Sequence, residues 1–139
     1  PIVLLLGGRD KDLPWNDLAA LIRQRVDHVV LFGEAAEKIS SALDAVRAER
    51  SRSVSEGRSA SFDYAQDEVK ARKTESTSSA ERPYSIHRCK GLHEAVIKAA
   101  AVAESGDVVL LSPGGTSFDE FVDFEKRGER FRQWVQELS

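Results

Sequence analysis

The 139-residue chain has a single cysteine and no methionine. A lone thiol, Cys89, cannot close an intramolecular disulfide and supplies too few sulfur ligands for a zinc cluster, so nothing here calls for an oxidising compartment. No apolar run approaches the roughly 20 residues that span a bilayer, and no basic N-terminal stretch leads into a signal-type core. The sequence reads as cytoplasmic. Neither sign of charge dominates, with 20 Lys+Arg against 23 Asp+Glu and a formal net charge of -3. Phosphate backbones and anionic membranes need a net cationic face, so nucleic acid and membrane are set aside as partners. There is no G-K-[ST] triplet and no G-x-G-x-x-G opening the first helical segment, so the chain is not expected to hold ATP alone.

What is present is the composition of one globular domain, 41% hydrophobic and 31% charged. The missing methionine and the strand-like opening, PIVLLL, lead us to expect a domain cut from a longer polypeptide. Residues 2–6 form a short continuous apolar run ended by Gly7 and Gly8, the pattern of a parallel strand covered on both faces. Pro14 suits a first helical turn, and Trp15, Leu18, Ala19, Leu21, Ile22 and Val26 recur at helical spacing. A second strand is expected at 26–32 (VDHVVLF), followed past Gly33 by a helix facing inward with Ala36, Ile39, Leu43 and Val46.

Residues 47–82 are dominated by serine, arginine and acids without a sustained apolar period, so a mobile insertion is expected there. Patterning resumes with an edge strand at 84–89 (YSIHRC) and a helix carrying Leu92, Ala95, Val96, Ala99, Val102 and Ala103. A fourth apolar strand, 108–111, ends in the loop SPGGTS. Ser117 and Glu120 have the spacing of a capping box, which predicts that the last helix starts at Ser117. Strand and helix thus alternate four times. The expected fold class is α/β, a Rossmann-like doubly wound, mostly parallel open sheet with helices on both faces.

Doubly wound sheets bind ligands at the carboxyl ends of strands, where the strand order reverses. With the common order 3-2-1-4, strands one and four meet at that point, and the loops leaving them are the two glycine-rich loops, GGRDKDL (7–13) and SPGGTS (112–117). The first offers Arg9, Asp10 and Lys11, and the second offers Thr116 and Ser117 at the expected helix start. Unpaired N–H groups and a lysine together suit a carboxylate or phosphate. The same residues also fit a plainer arrangement, with glycines in tight turns, Ser117 as an N-cap and Lys11 in solvent.

His28, His87 and His93 lack the paired spacing of metal ligands and read as core or surface histidines, and no metal site is expected. Cys89 has no activating base in sequence and reads as a half-buried thiol. Phe118, Phe121, Phe124, Phe131 and Trp134 read as a helix packing face, with Phe124 a possible exception. The charged run EKRGERFRQ reads as a solvated helical face broken near Gly128.

The stretches LLLGGRDKDL (4–13), VVLFGEAAEKI (29–39), LHEAVIKAA (92–100) and LLSPGGTSFDEFVDFEKRGERF (110–131) resemble the C-terminal domain of the Mur ligase family, nearest its D-glutamate-adding members. They cover almost all of the chain outside 47–82. The resemblance implies part of an ATP-dependent amide-forming ligase of peptidoglycan synthesis, working through an acyl phosphate attacked by an amino-acid amine. It implies N-terminal and central domains on the same polypeptide as partners. ATP and Mg2+ would be held mainly by the central domain; this domain would bind D-glutamate and close over the ATP site, and no catalytic group would lie in it.

Carried over by position, the family's lysine for a D-glutamate carboxylate falls on Lys11, within a motif comprising Gly7, Gly8, Arg9, Asp10 and Lys11. The serine of its second loop falls on Ser117, preceded by Thr116. Main-chain contact falls on Phe118, and the pocket-closing phenylalanine on Phe124. The chain departs from the family pattern at Asp12, Leu13, Pro14 and Trp15, which leaves the path after Lys11 open, and has Gly114, Gly115 and Thr116 where alanine and cysteine are frequent. A neighbouring amide ligase, muramyl or folylpolyglutamate in type, or a non-catalytic carboxylate-binding module are the alternative readings.

Overall fold

A computed structural model describes residues 1–60 and 83–139. Four strands form one parallel sheet: β1 (Ile2–Gly7), β2 (His28–Phe32), β3 (Ser85–Arg88) and β4 (Val108–Gly114), in the order β3-β2-β1-β4. The helices are α1 (Asn16–Arg25), α2 (Ala36–Ala60), α3 (Leu92–Val102) and α4 (Phe124–Glu137). The expected fold class and strand order are both observed, and the reversal falls between β1 and β4.

Alternation along the central strands builds two cores, because successive side chains of a strand face opposite ways. Leu4, Leu6, Val29 and Leu31 pack against Ala19 and Ile22 of α1 and Ile39 and Leu43 of α2. Val3, Leu5, Val30 and Phe32 pack against Leu92, Ala95, Val96 and Ala99 of α3, with Phe121, Phe131 and Trp134 closing the edge. Each strand of the pair β1 and β2 is therefore covered on both faces, and this is why they read as unbroken apolar runs. No helix among the described residues is long and apolar enough to cross a membrane.

Several local expectations need correction. Pro14 lies before α1 instead of in its first turn, and buried Trp15 takes the N-cap position. Strand β2 starts at His28, and the Asp27 carboxylate just before it accepts from the Ile2 N–H (3.1 Å). Helix α2 runs on to Ala60, well past the last inward position, Val46. Within it the Ser51 hydroxyl donates to the Arg47 carbonyl (3.1 Å). Alanine, arginine and glutamate sustain a helix through their own backbone bonding without an apolar stripe. The rest of the expected insertion, 61–82, lies outside the described residues.

Helix α4 starts at Phe124, not Ser117, and continues unbroken through Gly128. Its cap is the Asp123 side chain, which accepts from the Lys126 N–H (2.7 Å). A Cβ added at Gly128 would meet nothing within 4 Å. Glycine inside a helix mainly adds freedom to the unfolded chain, so Gly128→Ala is expected to stabilise by about 0.5–1 kcal/mol. Urea denaturation should show a raised midpoint at unchanged slope, and a lowered midpoint would mean that Gly128 holds a contact absent from this structure.

Candidate functional site at the carboxyl edge of the sheet

Beyond their parallel pairing, β1 and β4 run on into loops that pair in the opposite sense. Arg9 N–H donates to the Thr116 carbonyl (2.9 Å), Thr116 N–H to the Arg9 carbonyl (3.1 Å) and Gly115 N–H to the Gly7 carbonyl (3.2 Å). The two glycine-rich loops are thus bonded directly to each other at the switch point. Two glycines make this approach possible. A Cβ on Gly8 would sit 2.6 Å from the Thr116 carbonyl oxygen, and one on Gly115 would sit 2.6 Å from that of Arg9.

The loop after β1 is shaped by its own acids. Asp10 Oδ1 accepts from the Asp12 N–H (2.9 Å) in a side-chain-closed turn, and Asp12 takes a φ of 55°. Lys38 of α2 donates to the Asp10 carboxylate (2.7 Å) and also to that of Asp12. The Lys38 hydrogen bond lowers the Asp10 pKa below its ordinary value, and the Asp10 and Asp12 carboxylates raise that of Lys38. One ammonium thereby pairs with both acids flanking Lys11, leaving a single net negative charge among the three. The Lys11 side chain is exposed and has no partner among the described residues.

The loop after β4 is held from three sides. The Ser117 carbonyl accepts from Glu120 N–H (3.1 Å) and Phe121 N–H (2.8 Å), closing a turn that buries Ser117 to 3% exposure. Asp119 Oδ2 accepts from Glu34 N–H (3.3 Å) in the loop after β2. Both oxygens of Glu120 accept from Leu92 N–H (3.1 Å each), the first free donor of α3. Gly91, the N-cap of α3, has no side chain for that bond, and a Cβ there would lie 2.0 Å from Glu120 Oε1. Glu120 therefore caps a different helix from the expected one. Partial desolvation raises its carboxyl pKa, and the Leu92 N–H opposes this.

The structure brings together Gly7, Gly8, Thr116 and Ser117 through the loop pairing and ties Asp10 to Lys38. It does not place Thr116 and Ser117 at a helix N-terminus, so any ligand there would lack that positive end. Phe118 (63% exposed) and Phe124 (70%) stand free of the core, whereas Phe121, Phe131 and Trp134 pack against it. The aromatic series thus splits into a packing set and two residues open to solvent. Arg127, expected in a solvated face, instead reaches back to donate to the Gly115 carbonyl (3.1 Å). Sequence periodicity carries no sign of this contact or of the Lys38 clamp.

Elsewhere the chemistry is sparse. Burial and the Glu94 carboxylate push the Cys89 thiol up, away from a reactive thiolate. His28 and His87 lie side by side with ring centroids 5.7 Å apart, and His93 stacks on Trp134 at 4.7 Å. Among the described residues no three His, Cys, Asp or Glu side chains gather as a metal would require. The sequence holds no G-K-[ST] triplet of the kind that cradles a nucleotide's phosphates. An apolar groove beside the N-terminal end of β4, lined by Val96, Ala99, Val109, Phe131 and Val135, offers an anion no charge.

No family model matches the chain. Curated relatives do. It is 36% identical over 136 residues to the UDP-N-acetylmuramoylalanine--D-glutamate ligase of Syntrophus aciditrophicus, covering 98% of this chain and 22% of the relative. The ligase of the same name from Salinibacter ruber is 33% identical over 138 residues (99% and 22%). That from Pseudothermotoga lettingae is 33% identical over 137 residues (99% and 24%). The chain thus spans less than a quarter of the length of these relatives, a share that suits one domain of a larger ligase. Similarity over nearly the whole chain, including both paired loops, agrees with the resemblance read from those loops: the chain belongs to the UDP-N-acetylmuramoylalanine--D-glutamate ligase family.

Proposed function

We propose that this chain is the amino-acid-binding domain of an ATP-dependent, cytoplasmic ligase that joins D-glutamate to UDP-N-acetylmuramoyl-L-alanine. The observation that carries the reading is the direct pairing of the two glycine-rich loops, which sets the Lys11 segment beside Thr116 and Ser117. D-Glutamate is a dianion apart from its amine, so its recognition calls for a cation and hydrogen-bond donors. Among the described residues the Lys11 ammonium has no competing partner, and Lys38 pairs with both acids beside it, which leaves one negative charge of the two. The Ser117 hydroxyl and the Phe118 main chain contribute polar contacts, and the exposed Phe124 ring closes over the ligand, where it would exclude water.

Holding both carboxylates fixes the amine, and orientation is the contribution such a domain makes to amide formation. ATP and Mg2+ would belong to the remainder of the polypeptide, with its N-terminal and central domains as this domain's partners. The test is amino-acid-dependent phosphate release by the complete polypeptide supplied with ATP and UDP-N-acetylmuramoyl-L-alanine. D-Glutamate is expected to drive turnover, L-glutamate and diamino acids are not, and the 139 residues alone should show none. Preference for another amino acid, or for a folate substrate, would refute the assignment.

A further inference from the structure

Arg127 lies one turn after Phe124 and one turn before Phe131, whose ring packs on the core. Its guanidinium is therefore delivered from an anchored helix. Nη1 donates to the Gly115 carbonyl (3.1 Å), and a Cβ built on Gly8 would lie 3.3 Å from the same nitrogen. One side chain thus rests against both glycine-rich loops at the point where they pair. Gly115 is bonded to Gly7 through its N–H, and its carbonyl belongs to the next peptide, which leads into Thr116 and Ser117. The N–H of that peptide donates to Arg9, so Arg127 holds its other side. Partial burial lowers the Arg127 pKa, and the Asp119 and Glu120 carboxylates oppose this, favouring the charged guanidinium. Those same acids hold the loop to Glu34 and Leu92, and neither reaches the Gly115 carbonyl.

We infer that Arg127 is a positioning residue for the amino-acid site: it sets the Thr116–Ser117 segment against the Lys11 loop and couples both to the helix that starts with Phe124. The inference rests on the proposed function and extends it to a residue outside the ligand contacts. Without the guanidinium the loop after β4 keeps its Asp119 and Glu120 anchors and its backbone bonds to the first loop, so the domain stays folded while the Gly115–Thr116 peptide loses one of its two holds and the Ser117 hydroxyl shifts relative to Lys11.

The test is steady-state kinetics of the complete polypeptide carrying Arg127→Met, which keeps the aliphatic stem but removes the donor. Losing one charge-assisted contact predicts a rise of about tenfold in the KM for D-glutamate. The KM for ATP should change less than about twofold, and Arg127→Lys, which keeps a donor and the charge, should recover part of the loss. A merely structural role would lower the melting temperature and leave the KM of the surviving folded enzyme unchanged, and that outcome overturns the inference. If the Met variant does not fold, the Lys variant decides by the same KM criterion, and failure of both to fold also overturns it. Lys11→Ala, measured alongside, separates the two levels: a raised KM there with none at Arg127 sinks only the positioning role. No change at either position sinks the site itself.

Discussion

Replacing Lys11 by alanine in the complete polypeptide is expected to weaken D-glutamate binding on the order of ten- to hundredfold. The estimate follows from removing one charge-assisted contact to a carboxylate, worth roughly 1.5 to 3 kcal/mol. The side chain is exposed and unpartnered among the described residues, so none of their contacts is lost when it is cut back. Stability should therefore shift by no more than about 0.5 kcal/mol, as for other surface substitutions. The KM for ATP should scarcely move, because no residue of this chain is assigned to the nucleotide. Kinetics with D-glutamate and ATP varied separately, together with a melting curve, check all three expectations. An unchanged KM for D-glutamate would return Lys11 to the plainer role of a solvated loop lysine.

Gly7→Ala should have the opposite signature, a collapse of the fold with no separable effect on binding. The added Cβ would lie 1.9 Å from the Phe32 carbonyl oxygen, 2.8 Å from its carbon and 2.9 Å from its nitrogen. All three are backbone atoms of the neighbouring strand, and Phe32 is fully buried. No side chain can swing aside, so β1 and β2 must part where both cores begin. A loss of more than about 3 kcal/mol is expected, in the range of severe overpacking and backbone strain. Urea unfolding followed through Trp15 and Trp134 fluorescence would register it, and a loss under about 1 kcal/mol would contradict the packing described. The contrast with Gly128→Ala is instructive, since the same methyl group stabilises where a helix leaves open space.

How much of this was legible in the sequence depends on whether a signal was local. Strands β1 and β2 announced themselves because burial on both faces leaves only apolar residues; the alternation of elements implied a parallel sheet, and the common doubly wound order assumed for it is the one observed. The meeting of the two glycine-rich loops followed from that topology. The start of α4 did not, because Ser117 and Glu120 satisfy the capping spacing while the Glu120 carboxylate is spent on Leu92 of another helix. A spacing rule cannot say which helix a carboxylate will cap. The continuation of α2 beyond Val46 was hidden because an apolar period was the signal sought, and that part of the helix has none. Arg127 and Lys38 were hidden for a related reason. Each acts through one long side chain on a partner far along the chain, a contact that composition and periodicity do not encode.

The most direct test of the amino-acid site is a crystal structure of the complete polypeptide with D-glutamate. One ligand carboxylate should lie about 3 Å from Lys11 Nζ, with the Ser117 hydroxyl in hydrogen-bond reach of the same molecule and the Phe124 ring over it. D-Glutamate bound elsewhere, with Lys11 turned to solvent and the paired loops empty, would contradict the assignment of this edge of the sheet as the amino-acid site.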